Sequence, residues 1–337
     1  MKKIFVSVVI PIIKINDFLR KETIPALLKQ SYDNLEIIII TDKTSKEKFS
    51  KTRIIPSWPK TGPADKRDLG VVKAKGEIIA FLDDDSYPEK DWLKKALEIF
   101  NSKGNNIAGV CGPTLTPPHN SLQQKASGYV WSTWLGSGGA GTYRAEIVPR
   151  REVDDYPSVN LLVKKKDFLE VGGFDSHFWP GEDTKICFDL VYKLGKKIIY
   201  DPRVLVYHHR RAVFKPHLQQ IGRYALHRGH FARILPKTSL RIGYLIPSFF
   251  VLWLFGGPIL IFLLEAFSLC FLSIPLYLLY LLTIGLYCFL LLITGIKIYL
   301  KEKNLKLALL SMLAIFITHI IYGILFIKGF FLAKLER

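Results

Sequence analysis

The sequence predicts an α/β protein with a mostly parallel central sheet, followed by an interfacial helix and an α-helical transmembrane region. Three observations predict it. In the first third of the chain, short apolar runs that do not alternate are separated by segments of helical spacing, as strands buried on both faces require. Residues 215–237 mix Leu218, Ile221, Tyr224, Phe231 and Ile234 with Arg223, Arg228 and Arg233, and a basic amphipathic stretch of this kind suits a helix in the membrane interface. Residues 242–296 then carry a single charge, Glu265, and residues 307–327 carry none.

Each element follows from its own residues. Residues 5–13 are β-rich and apolar but interrupted by Ser7 and Pro11, and they are too short to span a bilayer or serve as a secretory signal. They are predicted as the first strand. Residues 18–29 have helical spacing, and residues 35–40 form a continuous apolar run bounded by Asp33-Asn34 and Asp42. A helix over 66–75 is closed by Gly76, a strand follows over 77–82, and an amphipathic helix over 91–100. Ligands of parallel sheets bind beyond the carboxyl ends of the strands. Asp42 and the triplet Asp83, Asp84 and Asp85 stand at those ends. Residues 137–143 are dense in glycine and read as a mobile segment, either a surface connection or a gating loop.

A spanning helix needs about 20 apolar residues. The first long apolar stretch is therefore read as two helices with a turn near 265–270, and the second as a third. The domain reading is 1–214 for the α/β domain, 215–241 for the interfacial segment and 242–333 for about three transmembrane helices. Without a signal, residues 1–241 are expected in the cytoplasm. Arg233, Lys237 and Arg241 before the first span, and Lys297, Lys301, Lys303 and Lys306 before the third, agree with cytoplasmic placement. Three crossings put Lys334 and Arg337 on the outside, against that rule.

Of the formal charge of +18, residues 242–337 carry only +4, so the excess lies in the preceding domain. Such a balance at a bilayer suits anionic headgroups and phosphate-bearing ligands. Nucleic acid is the rival partner, and the apolar spans weigh against it. Cys111, Cys187, Cys270 and Cys288 are widely spaced and form neither a metal motif nor a disulfide framework.

Three adjacent carboxylates repel one another unless a cation compensates, and Mg2+ or Mn2+ favours such oxygens. Asp83–Asp84–Asp85 is thus either a metal site or a solvated acidic turn. Gly181-Glu182-Asp183 precedes a helix-like run over 184–194; its carboxylates serve as a helix cap or as a general base. His208 or His209, after an apolar run, can complete a metal shell or simply pack. Arg210 and Arg211 suit a diphosphate or anionic lipid. His319, with Tyr322 and Gly323 inside the last apolar run, serves helix packing or touches an acceptor lipid.

Taken in order, the segments Val6-Ser7-Val8-Val9-Ile10-Pro11, Lys66-Arg67-Asp68-Leu69-Gly70, Ala74-Lys75-Gly76-Glu77, Phe81-Leu82-Asp83-Asp84-Asp85, Asp91-Trp92-Leu93, Asn160-Leu161, Val171-Gly172-Gly173-Phe174-Asp175, Gly181-Glu182-Asp183 and Asp201-Pro202 with Val206 and His208 resemble the inverting family 2 glycosyltransferases. The resemblance covers about residues 4–211 and implies a GT-A nucleotide-sugar-binding domain. It implies that Pro11 and Asp42 meet the nucleotide base, that Arg67 lies near the donor pocket, and that Asp83 and Asp84 face the donor. Asp85, Asp83 and His208 would hold a divalent metal, Mn2+ or Mg2+, and Asp183 would be the catalytic base. The family's Asp-x-Gly-Ser after the second strand is here Asp42-Lys43-Thr44-Ser45. Gln220-Ile221-Gly222-Arg223-Tyr224 is similar to the QxxRW signature of processive synthases, which would set Arg223, Tyr224 and Gln220, together with Glu182, at the diphosphate or acceptor. The implied function is a membrane-anchored, inverting transfer of a sugar from a nucleotide-sugar donor to a hydroxyl of a lipid-linked or glycan acceptor. The alternatives are a processive polysaccharide synthase and a catalytically inactive membrane scaffold; the intact Asp83, Asp85 and Asp183 argue against the scaffold.

Overall fold

A computed structural model describes residues 3–58, 61–102, 106–139 and 141–334. It falls into two compact units, Met1–Pro117 with Tyr143–His209, and Pro118–Thr142 with Arg210–Glu336.

The first unit is built on an eight-stranded sheet. Its strands in chain order are β1 (Val6–Pro11), β2 (Leu35–Thr41), β3 (Thr52–Pro56), β4 (Ile78–Phe81), β6 (Ile107–Cys111), β8 (Arg151–Val153), β9 (Leu161–Lys164) and β10 (Lys197–Tyr200), arranged β3-β2-β1-β4-β9-β6-β10-β8. A second sheet orders β5 (Ser86–Pro88), β11 (Val206–His208) and β7 (Thr114–Leu115) as β5-β11-β7. In the large sheet β1 pairs in parallel with both β2 and β4, β2 with β3 and β6 with β10, whereas β9 runs antiparallel to β4 and β6 and β8 runs antiparallel to β10. The sheet is mostly parallel, as the non-alternating runs predict.

Those runs are apolar because the sheet carries a core on each face. Val6, Val8 and Ile10 pack with Trp92, Leu93 and Leu97 of α3 (Trp92–Phe100) on one side. Val9 packs on the other side with Ala64 and Val71 of α2 (Pro63–Lys73) and Phe168 of α6 (Lys165–Glu170). Alternate residues of one strand thus feed two cores, which is why the runs are apolar without alternation; the polar exceptions pair, Ser7 Oγ donating to Glu36 Oε1 at 2.7 Å. The helix expected over 18–29 is a π-type turn, Leu19–Thr23, continued by α1 (Ile24–Leu28). A further helix, α7 (Glu182–Phe188), opens after Gly181.

The second unit is helical: α4 (Leu122–Ser132), α5 (Trp134–Ser137), α8 (Lys215–Ile234), α9 (Pro236–Ser239), α10 (Ile242–Ala266), α11 (Cys270–Glu302) and α12 (Leu305–Phe331). The last three are long and apolar enough to cross a membrane. The turn between α10 and α11 falls within the predicted 265–270. The contiguous 1–214 domain differs from this division, because residues 118–142 pack in the helical unit. There Ala126 and Val130 of α4 meet Ile298, Leu307 and Ile315. With Gln123, Gln124 and Lys125 beside them, two apolar residues leave no hydropathy signal of that partnership. In the glycine-dense 137–143, Gly138 has φ of 61° and lies against the carbonyl of Gly243, where any Cβ would collide, and Ser137 Oγ bonds Thr142 Oγ1 at 2.6 Å. Ala140 lies outside the described residues.

Candidate active site

The triplet follows β4 directly, and the small sheet brings its partner to it. His208 stands opposite Ser86 in the antiparallel β11–β5 pair, and the His209 backbone N–H donates to the Asp85 carbonyl at 3.0 Å. The His208 Nε2 is consequently 3.2 Å from Asp85 Oδ1. Ligand atoms of Asp83, Asp85 and His208 all lie within 4.8 Å of one another. Two carboxylates and an imidazole converging in this way form a donor set that suits Mn2+ or Mg2+ completed by ligand oxygens.

The electrostatics divide the three aspartates. Burial pushes Asp84 up to about 7, and the charges of Asp85 and Asp83 add to it; Asn16 Nδ2 donates to its carboxylate. Burial also works against ionised Asp85, but His208 and backbone donors outweigh it and hold the carboxyl below its usual range. The environment thus favours the charged form of Asp85, facing His208, and disfavours that of Asp84.

Arg67, fully buried on α2, connects this site to the start of α7. Its Nη2 donates to Asp83 Oδ1 at 2.7 Å and its Nη1 to Glu182 Oε1 at 3.0 Å. Burial disfavours the guanidinium's charge, yet Asp83 and Glu182 together raise its affinity for the proton. Burial and repulsion from Asp183 push Glu182 upward against the pull of Arg67. Glu182, assigned by resemblance to diphosphate or acceptor, is therefore buried against Arg67, and Arg67 is engaged between two carboxylates. Asp183, next along the helix, is half-buried and accepts the Thr184 N–H at 2.8 Å. The Thr184 hydroxyl donates to Asp155 Oδ1 at 2.9 Å, and Arg144 donates to Asp155 Oδ2 at 2.7 Å. Sequence reasoning missed Asp155 and Arg144, since neither sits in a motif.

At the other strand end, Asp42 pairs with Lys66, whose Nζ also donates to the Ile12 carbonyl at 2.8 Å. Asp42 lines a cleft of about 430 Å³ with Ile13, Lys14, Ile15 and residues 43–45. Pro11 is buried in the strand leading to it. Lys66, in the segment Lys66-Arg67-Asp68-Leu69-Gly70, thus forms a buried ion pair at the strand end that lines the cleft. The remaining candidates lie on α8 in the helical unit. Arg223 is exposed and Gln220 half-buried, while Tyr224 stands edge-on to Trp131 and its hydroxyl accepts from Arg228 at 2.6 Å.

Comparison with known proteins identifies the family. Residues 7–133 match "Glycosyl transferase family 2", and residues 78–328 match "Glycosyl transferase family group 2". A pre-mycofactocin glycosyltransferase of Mycobacterium tuberculosis is 30% identical over 44% of this chain and 30% of its own length. The glucosyl-dolichyl phosphate glucuronosyltransferase of Haloferax volcanii is 23% identical over 56% of this chain and 63% of its own. The chain thus spans less than two thirds of both. The dolichyl N-acetyl-alpha-D-glucosaminyl phosphate 3-beta-D-2,3-diacetamido-2,3-dideoxy-beta-D-glucuronosyltransferase of Methanococcus voltae is 25% identical over 96% of this chain and 97% of its own. Among solved structures, the mannosyltransferase PcManGT of Pyrobaculum calidifontis, in complex with GDP-Man and Mn2+, aligns with a TM-score of 0.52 over 94% of this chain and 87% of that one, at 15% identity, a likeness of fold. On the matches to residues 7–133 and 78–328, the chain belongs to the family 2 glycosyltransferases.

Proposed function

We propose that the protein is a membrane-anchored, inverting, metal-dependent glycosyltransferase that adds single sugars to a lipid-linked acceptor. The observation that carries this reading is the convergence of Asp83, Asp85 and His208, tied through Arg67 to the helix that begins with Glu182 and Asp183. Asp83, Asp85 and His208 would hold Mn2+ or Mg2+, which when bound neutralises charge developing on a leaving nucleoside diphosphate. The cleft beside Asp42, beyond the end of the strand that carries Pro11, takes the nucleotide base, and Asp84 faces the donor.

Asp183 takes the proton of the acceptor hydroxyl. The hydroxyl oxygen forms its bond to the anomeric carbon as the bond from that carbon to the diphosphate breaks, so one displacement inverts the centre. Lipid-phosphate-linked sugars are the proposed acceptors, because two relatives are named for dolichyl-phosphate-linked substrates. Arg223 and Gln220 of α8 are proposed to meet a phosphate of the acceptor or donor, with Tyr224 positioned through Arg228. The catalytic domain is placed on the cytoplasmic side, where nucleotide sugars are made.

The reading is tested by incubating the full chain with a panel of nucleotide sugars, polyprenyl-phosphate-linked sugars and Mn2+, and following the product's anomeric configuration by NMR. The expected result is single-sugar transfer with inversion, lowered about 10²-fold or more by Asp183→Asn while donor binding persists. Retention of configuration, or a wild-type rate for Asp183→Asn, contradicts it.

A further inference from the structure

We propose that the chain crosses the membrane twice, through α10 and α11, and that α12 lies in the plane of one leaflet with both of its ends on the side of the α11–α12 turn. Length and composition allow α12 to span, but its neighbours do not. Its second half runs side by side with α8, numbers rising together: Thr318 Oγ1 bonds His217 Nε2 at 3.0 Å, Gly229 lies against Phe326, Gly329 against Leu226, and the Leu332 carbonyl accepts from His230 and Arg233. Its first half packs on α4, where Ala308 and Ile315 meet Ala126 and Val130.

For α12 to cross the bilayer, the helices bound along it would have to cross too. In 20 residues α8 carries Arg223, Arg228 and Arg233 with His217, His227 and His230, a load that spanning helices do not bear. The contrast with the hairpin is plain. None of the most apolar stretch of α11 is buried and 28% of that of α10, against 44% of that of α12. The hairpin itself is continuous, with Trp253 Nε1 bonded to Thr283 at 2.8 Å and Phe250 stacked on Tyr287 at 4.3 Å. Where α12 meets α10, it does so at Tyr244, Pro247, Ser248, Phe250 and Val251 in the opening turns, and it meets α11 at Tyr287, whose hydroxyl bonds His319 Nδ1 at 2.9 Å.

The outer face of α12 fits lipid rather than water. Leu309, Leu313, Ile324 and Phe331 are exposed, at spacings that fall on one side of a helix; Lys306 precedes them and Lys328 stands in the last turn, between Ile324 and Phe331. That stripe takes the acyl chains of a single leaflet, with α8 and α4 behind it. Two crossings also bring Lys334 to the same side as Lys297, Lys301, Lys303 and Lys306, removing the conflict with the distribution of basic residues. The inference does not depend on the transferase reading.

The test is labelling by a membrane-impermeant maleimide, on the full chain in sealed vesicles of known orientation. Cys270, exposed beside the α10–α11 turn, reports one face, while Cys111 and Cys187 are buried. In a chain carrying Cys270→Ser and Cys288→Ser, Lys303→Cys and Lys334→Cys are compared. Both are expected to label together, from the face opposite Cys270. Labelling of Lys334→Cys from the Cys270 face overturns the proposal. If Lys334→Cys resists the reagent from both faces, a protease site inserted after Lys334 decides: cleavage from the Lys303 side supports two crossings, and cleavage from the Cys270 side refutes them.

Discussion

Arg67 shows how one buried side chain can tie together distant parts of a site. Its two terminal nitrogens are divided between Asp83 and Glu182, carboxylates separated by 99 positions in the sequence. Removing a cation from such a buried arrangement leaves both acids unpaired, at a cost on the order of 3 kcal/mol. Arg67→Ala is therefore expected to lower the thermal midpoint by several degrees and to weaken metal-dependent nucleotide binding, both readable in one differential scanning series with and without Mn2+. An unchanged midpoint would mean that the fork does not hold the two elements together. At this scale the sequence was informative about residue type and silent about partners. Asp83, Asp85 and His208 were legible because acidic residues at a strand end and a histidine after an apolar run are chemically unusual. The Lys66–Asp42 and Arg144–Asp155 pairs were not, because ion pairs between distant positions leave no local pattern.

Among the elements, those whose burial is uniform were the easiest to read. β1, β2 and β4 came from their apolar runs, since a strand with a core on each face has no polar alternation. The antiparallel β9 and β8 are short and went unread. The small sheet could not be foreseen either, yet it is the register of β11 against β5 that sets His208 beside Asp85. In the helical unit, packing depends on close backbone approach. A Cβ on Gly229 would collide with the Phe326 carbonyl and one on Gly329 with the Leu226 carbonyl, whereas Gly256 has nothing within 4 Å. Gly229→Val and Gly329→Val are expected to destabilise the α8–α12 pair by about 1–3 kcal/mol and open it to limited proteolysis. Gly256→Ala should leave the digestion pattern unchanged. Equal sensitivity of all three variants would show that close packing of α8 on α12 is not what holds this unit.

For the whole molecule, the sequence revealed two kinds of material, an α/β domain and an apolar helical region, and the structure redraws the border between them. Residues 118–142 leave the first unit to pack under α12, and α8 contributes His217, Arg228 and His230 to buried positions. Burial pushes His217 down to about 4, so it stays neutral between Ser127 and Thr318 at physiological pH. Amphipathic spacing indicated a surface helix, and its second, protein-facing side became visible only in the packing. What unites the molecule functionally is the claim that the converging carboxylates and histidine hold a metal for a nucleotide-sugar donor.

Calorimetric titration of the detergent-purified protein with nucleoside diphosphates, with and without Mn2+, tests that claim most directly, alongside Asp85→Ala. The account predicts binding that requires the metal and is lost in Asp85→Ala while the thermal midpoint of the apo-protein is kept. Nucleotide binding indifferent to both Mn2+ and Asp85, or no binding by the folded wild type, would contradict it.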